Sequence, residues 1–590
     1  MVNSNYEEIK ARMKMRAMEL WGIDKNQILD PLIEMFLDVF SFELSKVYQD
    51  VKISDAKLLE RISKILVNEN WSLPIPAHAL ISLQPSEDTG EISKKTQLYF
   101  QKISKGDFTD IFFTPLDNQE LIKAKIYCTA FGNQLTFNDK SSSKPAITSY
   151  KETSVSEYSM WVGIDIDEPL LDSLNNLSIS LLLKDSNLNS YLKMAKVYDF
   201  DENEIHIFQK EKKQSLKKEH YYDAIHRYYQ DYLYTLDLSN SNKKKHTLVE
   251  RCKETFNSDD LEANNKNLFW LKIVFPVAFV KEELEKISIS LNTFPIVNRK
   301  FSYRQHNIKR NGKIISLFSL DDEFFLNTES LIDDNGIAYK SALKNDINNL
   351  AGSFSLYFGD IEQFDERNAK FILNQVIQTV REEGSSFSAI GYDLLNAYLE
   401  DLNDKLNVLE KKVNYKYKNV SDNNEKVYLL TMPHETSNTY ECAYWTTNAN
   451  LANGIKKGTL LCQYQTIGLE SDSILLQTDT VGGMVKNGTK EKISSFRYGL
   501  LSKNRIVSNE DIKEFVSMTV GNTIKSVAVK SGVGISSHKK QGLVRTINVD
   551  VGLLESGHLN HENKKRLSHF LQLELQNKSV HNTPYRVNII

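Results

Sequence analysis

Four cysteines in 590 residues, Cys128, Cys252, Cys442 and Cys462, lie far apart, and only 24 glycines and 11 prolines accompany them. A disulfide framework is therefore not expected, and a reducing compartment fits best. No run of about 18 apolar residues occurs, so a membrane-spanning helix is not expected either. The opening MVNSNYEEIKARMKMRAMELWG is charged throughout and does not read as a signal peptide. Charge of one sign is also missing: 73 basic residues face 77 acidic ones, for a net charge of -4. No global field draws the chain to nucleic acid or to a membrane.

Local catalytic spacing is absent too. There is no Walker lysine loop, no GxSxG elbow and no HExxH, and GVGIS at 532–536 lacks the lysine and threonine that grip phosphate and magnesium. Asp165 and Asp167 share a strand face beside Ile164 and Ile166, which reads as a solvated face rather than a carboxylate pair. His434, Cys442 and Cys462 lack the short spacing of structural zinc sites. His558, His561 and His569 read as solvated. The expectation is a protein with no catalytic, cofactor or metal residues.

What is present is ordinary globular material, 41% hydrophobic and 25% charged. The length exceeds what one core supports, so three to five domains are expected. The predicted class is α+β and multidomain. It comprises an N-terminal helical segment (1–70), a β domain (71–155), tandem β-sandwich-like modules with a tyrosine-rich connector (156–335), a helical hairpin (336–415), a further β domain (416–500) and a C-terminal α+β domain of split βαβ, ferredoxin-like type (501–590).

The first strong signal is DPLIEMFLDVFSFELSKVYQD. Asp30 caps and Pro31 takes the first helical position, where its missing amide costs nothing. Ile33, Phe36, Leu37, Phe40, Leu44 and Val47 form one apolar stripe, while Leu32, Met35, Val39 and Phe42 form a second beside it. The helix predicted at 54–67 covers one stripe. The other needs a third partner, either a later part of this chain or another subunit.

An internal repeat follows. Trp161 with Val162, Ile164 and Ile166 precedes LSISLLL, and Trp270 with Leu271, Ile273 and Phe275 precedes ISISLNT. Two copies are too few for a solenoid, so paired sandwich-like modules are expected. Between them, the tyrosine-rich stretch from Gln209 to His246 reads as a solvated, partly helical connector. Further on, Leu395, Leu399, Leu402, Leu406, Leu409 and Val413 step by fours and threes, a short heptad seam for an internal hairpin or a partner helix. From Lys486 to Arg545, twelve Lys and Arg face four Asp and Glu. That excess, including Lys539 and Lys540, marks a surface for an acidic protein neighbour or a solvated face.

Four stretches, in this order, carry a resemblance: DPLIEMFLDVFSFELSKVYQDVKISDAKLLERISKIL with LPIPAHALI, then NTFPIVNRKFS, then TTNANLANGIKKGTLL, then NRIVSNEDIKEFV. They resemble the TssF family, baseplate wedge subunits of type VI secretion systems, and the last also resembles the end of contractile-phage wedge proteins. Where many members carry Cys-Thr-Asn-Arg, this chain has Thr446, Thr447, Asn448 and Ala449, and its 365–413 block matches the commoner members poorly, which marks a divergent branch. The resemblance implies a bacterial, cytoplasmic structural protein at the inner-membrane face. It implies two copies per wedge, assembled with TssG-like, TssE-like and TssK-like proteins around a VgrG hub, from which tube and sheath grow. On this reading Ile33, Phe36, Phe40, Leu44, Leu395, Leu402, Leu409, Lys539 and Lys540 are the interface candidates. The alternatives are a wedge subunit of a phage tail or phage-derived injection particle, and a carbohydrate-binding or glycosidase-like β protein, against which the five singly placed tryptophans speak.

Overall fold

The computed structural model describes residues 2–21, 30 and 33–45 and, with short internal gaps, 73–358, 427–485 and 498–589. The chain divides into two compact units, one of residues 1–72 with 486–522, the other of residues 73–485 with 523–590.

In the first unit, helix α1 spans Val2–Trp21, a stretch of Glu, Lys, Arg, Met and Ala with no glycine or proline to interrupt it. Helix α2 covers 33–45, opened by the bond from Glu34 N to Asp30 O at 3.0 Å. A third helix, Asn509–Val520, is capped by Ser508: Ser508 Oγ accepts from Asp511 N, and the Asp511 carboxylate accepts from Ser508 N. It buries Ile512, Phe515 and Val516.

The second unit is built mainly of sheets, and they draw on distant parts of the chain. His78–Ser82 pairs antiparallel with Thr293–Asn298, which pairs in turn with Asp107–Pro115 in one six-stranded sheet. Pro295 sits inside that sheet. It has no N–H to offer, and its carbonyl accepts from Leu116 N at 3.0 Å. Thr439–Thr447 is the middle strand of a three-stranded sheet, and strands at Lys340–Ser341 and Ser353–Phe358 belong to a four-stranded one.

The repeat is confirmed as strands but not as tandem modules. The two tryptophan strands, Ser159–Ile166 and Asn267–Val274, pair with each other antiparallel, and so do the two Ser-Ile-Ser-Leu strands, Asn176–Leu182 and Ser288–Leu291. Val162 and Leu271, each the residue after its tryptophan, lie directly opposite. Ser180 and Ser290, each the second serine of its motif, do the same. Antiparallel pairing centred on equivalent positions is the signature of a local two-fold axis. Both copies belong to one eleven-stranded sheet around one core, where Val162, Ile164, Ile179, Leu181, Leu271, Ile273 and Leu291 meet. The halves pair because each alone would leave a strand edge open.

The tyrosine-rich connector is also corrected where it is described. Tyr221, Tyr222, Tyr229 and Tyr232 are buried together with Leu80, Val297 and Trp445 around the helix Tyr222–Tyr229. Their hydroxyls are satisfied inside: Tyr222 donates to Asp117 at 2.6 Å, Tyr229 pairs with His78 at 2.8 Å, and Tyr221 accepts from Arg299 at 3.1 Å. A tyrosine whose hydroxyl finds a partner packs like phenylalanine.

The C-terminal sheet runs Ile524–Ile535, Leu543–Leu553, Tyr585–Ile589, with helix His561–Lys578 between the last two. Those two strands are parallel and direct neighbours, Val549 opposite Val587. The βαβ unit is therefore not split, because no strand intervenes between them, and the three strands among the described residues fall short of the ferredoxin-like four. Its helix is anchored to the tyrosine helix and the turn after it by Arg227 to Glu574, by His569 to Asp231 at 3.0 Å, and by Tyr228 against Phe570.

Candidate functional site

α1 and α2 meet along a polar seam. Lys10 pairs with Asp38 at 2.5 Å and Lys14 with Glu34 at 2.9 Å, while Ser41 Oγ reaches Met13 Sδ at 3.5 Å. Lys14 holds the Glu34 carboxyl below its ordinary range by hydrogen bond and charge. Glu34, Asp38, Ser41 and Ser45 recur at the helical period and so share a face. Ser41 and Ser45 are buried, with their hydroxyls turned back to the carbonyls of Leu37 and Phe42. Small side chains let helices approach closely.

With serines at the seam, the phenylalanines point elsewhere. Phe36 is 52% exposed and Phe40 58%; Leu44, Met35, Val39 and Phe42 are exposed as well, and Ile33 and Leu37 are half-buried. Both apolar stripes read in the sequence therefore lie largely in the open among the described residues. The helix predicted at 54–67 lies outside them.

The remaining candidates scatter. Leu395, Leu402 and Leu409 lie outside the described residues, as do Lys539 and Lys540 between strands Ile524–Ile535 and Leu543–Leu553. Of that basic region, Lys525, Lys530 and Arg545 are exposed on those strands, with Asp550 at 3.6 Å from Lys530.

Two stretches of the resemblance do converge, at a junction that sequence reasoning missed. Asn298, at the end of NTFPIVN, donates to Phe112 O at 2.9 Å, and its carbonyl accepts from Thr447 Oγ1 at 2.8 Å and Asn448 N at 2.9 Å. All three residues are buried. Next to it, the buried Arg299 donates to Thr114 Oγ1, Tyr221 Oη, Glu219 and the carbonyls of Lys94 and Pro115, and lies 4.4 Å from the Trp445 ring. With its N–H groups so engaged, this cation serves as an anchor between sheets. The only sequence signal was the recurrence of Asn and Thr inside otherwise apolar strands.

The residues considered for chemistry are placed apart. Cys442 is buried opposite Arg304 and Leu331, whereas Cys462 is exposed opposite Tyr99 in a different sheet. Burial pushes the Cys442 thiol up to about 12 and Cys252 up to about 11, so neither supplies a thiolate at neutral pH. Asp165 pairs with Lys266 at 2.5 Å, and Asp167 is the N-cap of a short helix. His569 is not solvated as expected, since Asp231 takes it. Among the described residues no group of three or more His, Cys, Asp or Glu is placed to hold a metal, and no helix is long and apolar enough to cross a membrane.

The fold thus defines a multidomain α+β protein whose open feature is an apolar helix face. No protein-family model matches the chain, and no curated protein matches it. Among solved structures it is similar to a chain of a type VI secretion system TssK-TssF-TssG baseplate subcomplex, over 95% of its own length and 96% of that chain, at 11% identity and a TM-score of 0.45. It is also similar to a chain of the baseplate complex from the type VI secretion system, over 100% of its own length and 97% of that chain, at 10% identity and a TM-score of 0.32.

Proposed function

We propose that this chain is a non-enzymatic wedge subunit of a type VI secretion baseplate, and that the outward face of α2 docks a TssG-like partner. The observation that carries the docking is the orientation of α2: Ser41 is buried and reaches Met13 of α1, while Met35, Phe36, Val39, Phe40 and Leu44 are exposed. Soluble monomers seldom leave a contiguous apolar patch of that kind uncovered. The identity of the machine rests on the four ordered stretches that resemble the TssF family. Within that machine the chain stands as two copies per wedge, with TssE-like and TssK-like neighbours around a VgrG hub, on the cytoplasmic side. Leu395, Leu402 and Leu409 are proposed as a second helical contact, and Lys539 and Lys540 as part of a contact to an acidic neighbour.

Co-expression tests this reading. The isolated chain is expected to self-associate or to express poorly, and a TssG-like protein to raise soluble yield and co-purify. A well-behaved monomer, indifferent to that partner, contradicts the proposal.

A further inference from the structure

The C-terminal sheet and its helix form a module with an interior of its own. Leu571 and Leu575 of the helix His561–Lys578 are buried, as are Val549, Val551 and Tyr585 of the strands. Ser568 Oγ donates to the Val587 carbonyl at 2.6 Å and Ser579 Oγ pairs with Tyr585 Oη at 2.9 Å, which ties the helix to the last strand. No peptide bond links this module directly to the sheets it leans on. The chain leaves them at Val485, runs through the other compact unit over residues 486–522, and only then enters the strand Ile524–Ile535. The attachment of the module to the tyrosine helix is therefore noncovalent.

That attachment is polar where an interior would be apolar. Asn563, Arg566, Phe570, Glu574 and Lys578 follow one another at steps of three and four, so they line one face of the helix, and all but Phe570 carry polar or charged groups. Asn563 Nδ2 donates to Asp479 at 3.2 Å, and the charge of Arg566 acts on Tyr228 and Tyr229. Glu574 is 2% exposed and takes both Arg227 of the tyrosine helix and Lys578, the latter at 3.7 Å. Beside this row His569 meets Asp231 at 3.0 Å. Phe570, the apolar member, meets Tyr228 with ring centroids 5.2 Å apart.

Polarity decides how such a dock behaves. Burying an ion pair strips both partners of water, and the attraction gained roughly offsets that loss, so these pairs fix a geometry more than they strengthen it. Parting returns Arg227, Glu574, Asp231 and His569 to water, whereas parting an apolar seam would expose hydrocarbon. Polar interfaces between parts of one chain accordingly permit relative motion. We propose that this dock is a releasable latch: the C-terminal module separates from the tyrosine helix as a folded body when competing charge enters the seam, and closes again when that charge leaves. The inference does not depend on the α2 docking surface.

Hydroxyl-radical footprinting of the full-length protein tests the latch, because it reads side-chain exposure residue by residue. Raising sodium chloride should increase oxidation of Tyr228 and Phe570 severalfold, while Trp270 in the large sheet and Tyr585 in the module, both buried, stay protected. Arg227→Gln with Asp231→Asn should raise oxidation of the two rings about tenfold at low salt. His569→Gln alone should move them the same way by a smaller factor, and it replaces the double variant if that one melts early. Rings that salt leaves as protected as before overturn the proposal, as does a folded variant with the parent's pattern. In the parent, a rise that includes Trp270 or Tyr585 also overturns it, since the module would then come away only by unfolding.

Discussion

His78 shows how one residue ties sequence to stability. Full burial pushes its pKa from the ordinary 6.5 down to about 3, and its ring is held by the Tyr229 hydroxyl at 2.8 Å. Between these two values the unfolded chain binds a proton that the folded one refuses, so stability falls as pH drops from 6.5 towards 3. Denaturant melts across that range should show the loss, and His78→Gln should flatten the pH dependence. A slope unchanged in the variant would remove His78 from the account. The same ring explains Gly482, whose φ of +84° suits glycine and whose added Cβ would lie 2.5 Å from His78 Nε2. Gly482→Ala should cost about 2–3 kcal/mol by clash and backbone strain together. Gly458→Ala, at the same φ with nothing within 4 Å, should cost only ~1 kcal/mol. Thermal melts that rank the two equally would contradict the contact.

At the scale of elements, Asn298 joins the strand Thr293–Asn298 to Thr439–Thr447. Asn298→Ala would leave Thr447 Oγ1 and the Asn448 amide without that acceptor in a buried place, a loss of about 2–3 kcal/mol. Equilibrium unfolding should show it, and Asn298→Asp, which keeps the acceptor but turns a buried carboxylate towards the Phe112 carbonyl, should lose at least as much. How far such elements were legible varies with what fixes them. The helix at 33–45 and its stripes were readable, because periodicity is local. Which side faces outward was not, since that depends on Ser41 meeting α1, a helix without a clear apolar stripe of its own. The tryptophan and Ser-Ile-Ser-Leu strands were readable too, but alternation names no pairing partner, so their mutual pairing stayed hidden. The buried tyrosines were misjudged because a phenol looks polar until its hydroxyl partner is known. The seam of Leu395, Leu402 and Leu409 falls outside the described residues.

At the scale of the whole molecule, sheets clasped by buried polar junctions build the larger unit, and the smaller one presents an apolar helix face. Interfaces take their strength from a few buried aromatic or arginine anchors, so Phe36 and Phe40 should dominate the α2 contact. The most direct measurement is a paired melting curve and pull-down on Phe36→Asp with Phe40→Asp. If α2 presents an intersubunit face, the variant should melt within a few degrees of the parent, keep its circular dichroism spectrum, and lose the TssG-like partner, because charges that water now solvates would be buried unpaired in the complex. Global unfolding of the variant would mean that the face belongs to the chain's own core, and a folded variant that still binds the partner would mean that it is no interface.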